Sequence, residues 1–482
     1  MGLKKNVIFS VILTSSNYIF PLLVYPYVAR VLGVTNIGIC NFVDNIINYF
    51  ILISMMGINI MGNRQIASDR ARGISLDKSF SSLFSLNLIT TLIAVICLVT
   101  VTLTIKDLRE NNQLMWFGCI KLISNFLLIE WFYKGIEDFK YITLRSIFTK
   151  CLYVIAVYIL IKDSSDYPLY YLLTVLMVAV NASINSVYSR NFVKLNFKEI
   201  EFKNIIKPFL LLGVYMLVTS LCTTFNVVYL GFATDDTQVG YYTTATKLYS
   251  IFLAFFTGIT SVMLPRMSNL IAQEKHEEFR QLLSNTTNLL FSFSIPIILL
   301  TDIFAPQIIM LLSGPGYEGA ITPMRIVMPL MLIIGYEQIA VIQALMPLRA
   351  DKTIMINSSF GAIVSIILNL ILVYKLKSIG SSIAWISSEF TILILSQIAL
   401  RKLLKLQFPL WQLTKNIIAF LPLAAALVAI YLFSTSELYW LFLIAGAILT
   451  SVYTLVIEIF ILKNEVVISF ISSIRNKLKV TT

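Results

Sequence analysis

The sequence predicts an all-α polytopic membrane protein with 14 transmembrane helices. Three observations favour this fold class. Of the 482 residues, 58% are hydrophobic and only 13% are charged, and the mean hydropathy is +0.83. A typical soluble domain has about 25% charged residues. A helix needs about 20 residues to cross the hydrocarbon core of a membrane, and the chain contains 14 mostly apolar stretches of about that length.

The predicted helices follow one another with short connections. Their boundaries are 7–29, 36–60, 79–105, 113–134, 141–162, 167–189, 204–230, 239–263, 283–305, 321–346, 353–374, 379–400, 411–434 and 437–462. The first stretch follows Lys4 and Lys5 and is too long for the core of a signal peptide, so we expect it to remain as a membrane helix.

The distribution of basic residues predicts the orientation, because Lys and Arg near helix ends are retained in the cytoplasm. With a cytoplasmic N-terminus, the inner segments and the helix ends that adjoin them contain 27 basic residues, and the outer loops and their adjoining helix ends contain 6. We therefore expect both termini in the cytoplasm. This bias also explains the net charge of +12 without a nucleic-acid partner, and it predicts contact with anionic membrane lipids.

An internal repeat relates the two halves of the chain. A shift of 202 residues places the second predicted helix on the eighth and aligns four identical residues. The identical pairs are Gly38 with Gly240, Phe50 with Phe252, Met61 with Met263, and Arg64 with Arg266. Six helices per repeat gives both copies the same orientation. The sequence thus predicts two pseudo-symmetric six-helix lobes, 1–203 and 204–405, followed by a helix pair and basic tail at 406–482.

Two polar strips lie inside predicted helices at equivalent positions of the repeat. Asn41, Asp44, Asn45 and Asn48 share one face of the second helix, and the shift of 202 residues places Thr243, Thr246, Lys247 and Ser250 on the eighth. A charge at the centre of a membrane helix costs roughly 2.5–3.5 kcal/mol on insertion scales, so such residues face a partner or a hydrated cavity. Two parallel repeats suggest a cavity that opens alternately to each side.

The polar strips provide the candidate site. Lys247, Lys121, Asn41, Asn45, Asn48 and Thr243 are the candidate substrate-binding residues, and Asp44 is the candidate for ion coupling. Asn and Thr can hydrogen-bond to sugar hydroxyls, and lysine can bind a diphosphate, so the cavity suits an anionic, sugar-bearing substrate. The alternative is that Lys247 and Lys121 pair with acids such as Asp44, Glu130 or Glu389 only to hold helices together.

Metal and nucleotide chemistry is not predicted. The five cysteines are dispersed in apolar segments, and the single histidine, His276, has no second histidine or cysteine near it in the sequence. We therefore expect no metal site and no disulfide framework. The chain has no glycine-rich phosphate loop with its lysine, which disfavours direct use of ATP.

Several runs of residues form motifs that can be compared with known families. They are Pro26 to Gly33 with Gly38, Gly57 with Asn63 to Ala67, Glu130 to Tyr141 continuing from Arg145 to Lys150, Leu312 to Tyr317, Pro323 to Arg325, and Gln343 to Pro347. These runs resemble bacterial polysaccharide flippases of the Wzx type, in the multidrug/oligosaccharidyl-lipid/polysaccharide exporter superfamily. The likeness covers about residues 1–400.

The resemblance implies an activity, partners and a location. Such a protein would move undecaprenyl-diphosphate-linked oligosaccharides across the bacterial cytoplasmic membrane for O-antigen, capsule or exopolysaccharide synthesis. It would use no bound cofactor beyond H⁺ or Na⁺ as a coupling ion, and a polysaccharide polymerase and a chain-length regulator would be its partners. Arg30, Arg64 and Arg266 match positions in the family's motifs, and we expect them to stabilise gates at helix ends.

Three alternatives remain open. A drug or metabolite antiporter of the same superfamily would share the lobes, although carboxylates rather than lysines would be expected in its cavity. A flippase for a lipid-linked peptidoglycan precursor would differ mainly in cargo. A membrane glycosyltransferase or polysaccharide polymerase would be expected to have a sizeable outer loop with catalytic groups. The longest outer connection, Pro306 to Ala320, has no Lys or Arg and only Glu318 as an acid, so we predict no enzyme activity.

Overall fold

The computed structural model describes residues 3–197, 200–203, 205–434 and 438–462, apart from some side chains within them. Within these ranges every element of regular secondary structure is helical. The predicted all-α membrane fold class is therefore confirmed.

Eight helices make up the first part of the chain. They are α1 (Leu3–Met55), α2 (Ile58–Ala71), α3 (Leu76–Thr104), α4 (Lys106–Glu110), α5 (Asn112–Leu127), α6 (Glu130–Gly135), α7 (Phe139–Leu160) and α8 (Tyr167–Ser189).

Ten further helices follow. They are α9 (Ile206–Ser220), α10 (Thr224–Ala233), α11 (Asp236–Ala272), α12 (His276–Ile303), α13 (Ala305–Ser313), α14 (Ile321–Val327), α15 (Leu330–Gln338), α16 (Asp351–Leu404), α17 (Leu410–Leu432) and α18 (Tyr439–Val456). Two π-helical segments, Ile339–Leu345 and Ile457–Ile461, extend α15 and α18.

Backbone breaks decide how the predicted stretches are joined. Gly33 has φ +77° and separates the first two predicted helices within α1, and Lys377 with φ +52° does the same within α16. Ile129 with φ +38° divides the predicted helix 113–134 into α5 and α6. The stretch 204–230 is bent by 54° between α9 and α10.

By length and hydropathy, ten helical spans among the described residues can cross a membrane, or eleven when the bent pair α9–α10 is included. Two of the ten, Ile8–Ala71 and Asp351–Leu404, each contain two of the predicted stretches. The chain is a multi-pass membrane protein, and the total of 14 crossings stays a prediction.

The chain forms two compact units. The first contains Met1–Thr243 with Val373–Ser378. In it, α1 packs against α3, α5, α7 and α10, α5 packs against α8, and α2 packs against α6. A buried aromatic cluster lies between α2, α3 and α6. Phe80, Trp131, Phe132 and Tyr133 belong to it.

The second unit contains Thr244–Leu372 with Ile379–Thr482. In it, α12 packs against α15, α17 and α18. Gly335 permits close packing of α15 on α12, because a Cβ atom there would lie 2.3 Å from Leu290 Cδ1. The three-part division predicted from the sequence, at 203 and 405, stays a prediction.

Candidate functional site

The polar strip of the second predicted helix forms one face of α1, after the break at Gly33. Asn41 Nδ2 donates to the carbonyl oxygen of Ile37 at 2.8 Å, and Asn45 Nδ2 donates to that of Asn41 at 2.8 Å. Asn48 Nδ2 lies 3.3 Å from Asp44 Oδ2. The amide N–H groups of the three asparagines therefore find acceptors one turn earlier on the same helix. These hydrogen bonds allow a polar strip to exist at membrane depth.

Lys121 of α5 binds this strip. Its Nζ lies 2.5 Å from Asp44 Oδ1 and 3.2 Å from Asn48 Oδ1. The lysine side chain is 15% exposed and the aspartate side chain 31%. Gly118 lies about one turn before Lys121, and a Cβ atom there would be only 2.3 Å from Ile47 Cδ1. The absence of a side chain at Gly118 thus allows α5 to approach α1.

The Asp44–Lys121 ion pair compensates two charges that would each be costly alone in a membrane. This geometry favours the alternative in which Lys121 joins two helices, because a bound anion would compete with Asp44 for the ammonium group. The substrate-binding role of Lys121 and the ion-coupling role of Asp44 stay predictions.

Two pairs of repeat-equivalent residues touch each other directly. Asn41 Nδ2 donates to Thr243 Oγ1 at 3.1 Å, and the hydroxyl oxygens of Thr35 and Thr237 are 2.9 Å apart. The members of each pair are 202 residues apart in the chain. A residue contacts its own symmetry equivalent only close to a two-fold axis, so these bonds mark the local axis of the repeat.

Glycines at equivalent positions allow this contact. A Cβ atom on Gly38 would lie 1.7 Å from the carbonyl oxygen of Asp236, and one on Gly240 would lie 2.3 Å from that of Val34. Val34 and Asp236 are themselves repeat equivalents. The contacts between α1 and the first turns of α11 are thus reciprocal, which supports the predicted offset of 202 residues.

Lys247 follows Thr243 by four residues on α11, and its side chain is half-buried. It belongs to the second unit, whereas Asn41, Asp44, Asn45, Asn48, Lys121 and Thr243 belong to the first. Within the first unit, these six candidate residues form two groups. Asp44 lies with Asn48 and Lys121, and Asn41 lies with Asn45 and Thr243. The role of Lys247 stays a prediction.

The three arginines predicted to stabilise gates are all exposed. Arg30 Nη1 donates to the carbonyl oxygen of Pro26, one turn earlier on α1, at 2.8 Å. Arg64 lies in the middle of α2, whereas Arg266 lies in the last two turns of α11. The helix-end position expected for Arg64 is therefore not observed, because α2 continues to Ala71. The gate roles of the three arginines stay predictions.

Two membrane-embedded basic residues are linked to neighbouring helices by hydrogen bonds. Lys150 Nζ donates to Ser16 Oγ at 2.8 Å and to Asn17 Oδ1 at 2.6 Å, which joins α7 to α1. Arg325 Nε donates to the carbonyl oxygen of Asp302 at 2.9 Å. Both contacts account for these charges as parts of the helix packing.

An acidic pair in the second unit was not predicted from the sequence. The carboxyl groups of Glu337 on α15 and Glu389 on α16 are close enough to hydrogen-bond to each other. Trp385 Nε1 donates to Glu389 Oε1 at 3.0 Å. The available signal was the presence of an acid in the middle of each of two apolar stretches, because acids there are rare and functional. Among the described residues no group of three His, Cys, Asp or Glu side chains could hold a metal ion.

Comparison with protein families gives two matches. A family model described as polysaccharide biosynthesis protein matches residues 3–271, and one described as MatE matches residues 212–374.

Two relatives carry the name "Putative O-antigen transporter". The one from Escherichia coli (strain K12) is 24% identical over 396 residues, which cover 81% of this chain and 94% of the relative. The one from Shigella dysenteriae is 26% identical over 284 residues, which cover 56% of this chain and 69% of the relative.

Solved structures show the same fold. The lipid II flippase MurJ, in an inward closed conformation, superposes with a TM-score of 0.77 at 16% identity and covers 94% of this chain and 99% of its own. An inward-facing multidrug resistance MATE family transporter of the MOP superfamily has a TM-score of 0.64 at 13% identity, and the match covers 80% of this chain and 93% of that transporter.

The resemblance seen in the sequence is thereby confirmed. The family model covers more than half of the 482 residues, and the chain is a multi-pass membrane protein that belongs to the polysaccharide biosynthesis protein family.

Proposed function

We propose that this protein is a flippase that moves undecaprenyl-diphosphate-linked oligosaccharide repeat units from the inner to the outer leaflet of the bacterial cytoplasmic membrane. The observation that carries the proposal is the similarity to the E. coli relative named as an O-antigen transporter, because it extends over 94% of that relative. Both relatives are transporters by name, so we assign transport and no enzyme activity to this chain.

The residues inside the membrane support an anionic, sugar-bearing cargo. Half-buried Lys247 offers an ammonium group that can bind a diphosphate, while Asn41, Asn45, Asn48 and Thr243 offer amide and hydroxyl groups for sugar hydroxyls. The cargo's lipid tail would remain in the surrounding membrane lipids. Transport by alternating access would be coupled to a gradient of H⁺ or Na⁺.

We further infer that both termini face the cytoplasm, because this orientation places 27 basic residues inside and 6 outside. A completed repeat unit reaching the outer leaflet must next be polymerised. The polymerase and the regulator of chain length are therefore the proposed protein partners.

Deletion of the gene in its native host tests the function. Lipid-linked oligosaccharides are extracted, their leaflet is determined with a membrane-impermeant sugar-modifying reagent, and surface glycan is scored. Accumulation of completed repeat units on the cytoplasmic leaflet, reversed by a plasmid copy of the gene, is the expected result. Normal surface glycan without accumulation, in a strain without a second flippase, would contradict the proposal and favour a drug or metabolite antiporter.

A further inference from the structure

The acidic pair of the second unit is built into the membrane-spanning part of the protein. Glu337 lies near the end of α15, and Glu389 lies in the middle of the part of α16 that follows the break at Lys377. Glu389 is buried, and Glu337 Oε2 is buried with no hydrogen-bond partner among the described residues. Burial in an apolar segment makes an unshared negative charge costly at either position.

The contact between the two carboxyl groups fixes how many protons they hold. An ionised carboxylate only accepts hydrogen bonds, so a hydrogen bond between two carboxyl groups requires a proton on at least one of them. Two carboxylates in one buried site do not both ionise, because their like charges repel in a medium that screens poorly. The pair therefore holds one proton and one negative charge, or two protons and no charge.

Neighbouring polar groups hold the pair in position. Trp385 donates to Glu389, and its ring meets the ring of Tyr249 of α11 edge-on at 5.2 Å. Gln338, next to Glu337, donates from Nε2 to Thr257 Oγ1 at 3.0 Å and accepts from Thr260 Oγ1 at 3.2 Å. These bonds join α15 to α11 directly beside the carboxyl groups.

The helices around Glu337 and Glu389 also contain other ionisable groups. Tyr336 on α15 donates to Gln397 Oε1 of α16 at 2.7 Å. Tyr249 and Lys247 lie on α11. On α12, the ionisable groups lie at the two ends of the helix, in the run His276 to Arg280 and at Asp302. The contact of α12 with α15 is instead in the middle of α12, where Leu290 meets Gly335.

The helix next to the pair has an unusual geometry. The π-helical segment Ile339–Leu345 begins one residue after Gln338. Within it, Gln343 is fully buried, and neither polar atom of its side-chain amide has a hydrogen-bond partner among the described residues. π-helical turns occur frequently at functional sites, and a buried amide without partners is a cost that another arrangement of this segment can relieve.

We propose that Glu337 and Glu389 form a proton-carrying dyad that couples transport to the proton gradient. The dyad with one proton binds a second from one side of the membrane, which neutralises its single negative charge, and releases that proton to the other side. The inference rests on the proposed transport function and deepens it by naming the coupling ion and its carrier. The sequence-based candidate, Asp44, instead has its charge compensated by Lys121.

Infrared difference spectroscopy tests proton binding without reference to transport. The purified full-length protein in lipid is titrated, and the carbonyl stretch of protonated carboxyl groups is followed. We expect the wild type to show a pH-dependent component of this band that is missing from both Glu337→Gln and Glu389→Gln. Glu277→Gln is the matched control, since the side chain of Glu277 is 89% exposed, and it should keep that component. A pH-dependent band that is the same in the wild type and in both dyad variants would overturn the proposal.

Transport in proteoliposomes tests coupling. Flipping of a lipid-linked oligosaccharide is measured with and without an imposed pH gradient. The expected result is that the gradient accelerates the wild type and the control, whereas both dyad variants lose this acceleration. Retained acceleration in a dyad variant overturns the dyad. If the wild type moves no lipid-linked oligosaccharide, the proposed function fails, while the infrared titration still decides whether the pair binds protons.

A third variant covers the case in which the Gln variants do not fold. Trp385→Phe keeps both carboxyl groups and removes the N–H group that hydrogen-bonds to Glu389. We expect it to shift the pH at which the carboxyl band changes, and an unshifted band would contradict the assignment of that band to the dyad.

Discussion

Gly38 and Gly240 bring the backbones of α1 and α11 into reciprocal contact. A Cβ atom on Gly38 would lie 1.7 Å from the carbonyl oxygen of Asp236, too close for any relaxation of a flexible side chain to relieve. We expect Gly38→Ala to lower the free energy of unfolding by about 1–3 kcal/mol, as overpacking does elsewhere, measured as heat stability of the purified protein. Thr35→Val serves as the comparison, because it removes only the hydrogen bond to Thr237 and should cost about 0.5–1.5 kcal/mol. Equal stability of Gly38→Ala and wild type would show that the helices separate there.

A double-mutant cycle on the Asp44–Lys121 pair measures its energetic coupling. Lys121→Met and Asp44→Asn each leave one partner without its counterpart in a mostly buried site, so each should lower the free energy of unfolding, by about 1–3 kcal/mol after allowance for partial exposure. The double variant should lose less than the sum of the two. Lys106→Met is the matched control, because Lys106 pairs with Glu110 at 3.7 Å on an exposed surface and should change stability by less than about 0.5 kcal/mol. Strict additivity would show that the 2.5 Å contact contributes no coupling.

Variants of Lys247 test the proposed contact between this lysine and the diphosphate of the cargo. Lys247→Ala should lower transport of the lipid-linked oligosaccharide without lowering the amount of protein in the membrane, because its proposed role is to bind the cargo's diphosphate. Lys247→Arg should keep part of the activity, since it retains the charge but changes the shape of the donor group. Transport assays in cells depleted of the wild-type gene provide the measurement, and Lys352→Ala, at an exposed position, is the control. Normal transport by well-expressed Lys247→Ala would show that this lysine does not bind the cargo.

The linker after α8 is held against the start of α3 by hydrogen bonds and an ion pair. We expect the stability of this contact to depend on pH. The backbone N–H groups of Lys194 and Glu201 donate to Asp77 Oδ1 at 2.8 Å and to Ser82 Oγ at 3.0 Å. Lys78 Nζ lies 2.8 Å from Glu201 Oε2, and its hydrogen bond and positive charge lower the pKa of Glu201.

Because the pKa of Glu201 is lower in the folded state, its ion pair with Lys78 stabilises the linker at pH values above the ordinary pKa of Glu. This stabilisation is lost as the pH falls through the lowered pKa. We therefore expect amide hydrogen-exchange protection of Lys194 and Glu201, corrected for intrinsic rates, to fall at acid pH. Lys78→Met should remove most of this pH dependence. Protection that is independent of pH in the wild type would rule out a role for the ion pair.

Local sequence patterns predicted the parts of the structure that depend on neighbours along the chain. Each predicted apolar stretch overlaps a helix, because length and hydropathy determine what can cross a membrane. The residues Asn41, Asp44, Asn45 and Asn48 share a face because of the helical period. Breaks were harder to predict. Gly33 favours a positive φ, but Lys377 and Ile129 adopt one although their side chains disfavour it, so packing determines those breaks.

The sequence by itself determined that this is an all-α membrane protein and that charges lie within its helices, and it predicted that the two halves are related by a shift of 202 residues. Only the tertiary structure decided which group meets each charge. It paired Lys121 with Asp44, bound Lys150 to Ser16 and Asn17, and placed Glu337 beside Glu389. The physical reason is that hydrophobic periodicity depends on residues a few positions apart, whereas the partner of a membrane-embedded side chain depends on which helix faces pack together, often many residues apart in the chain.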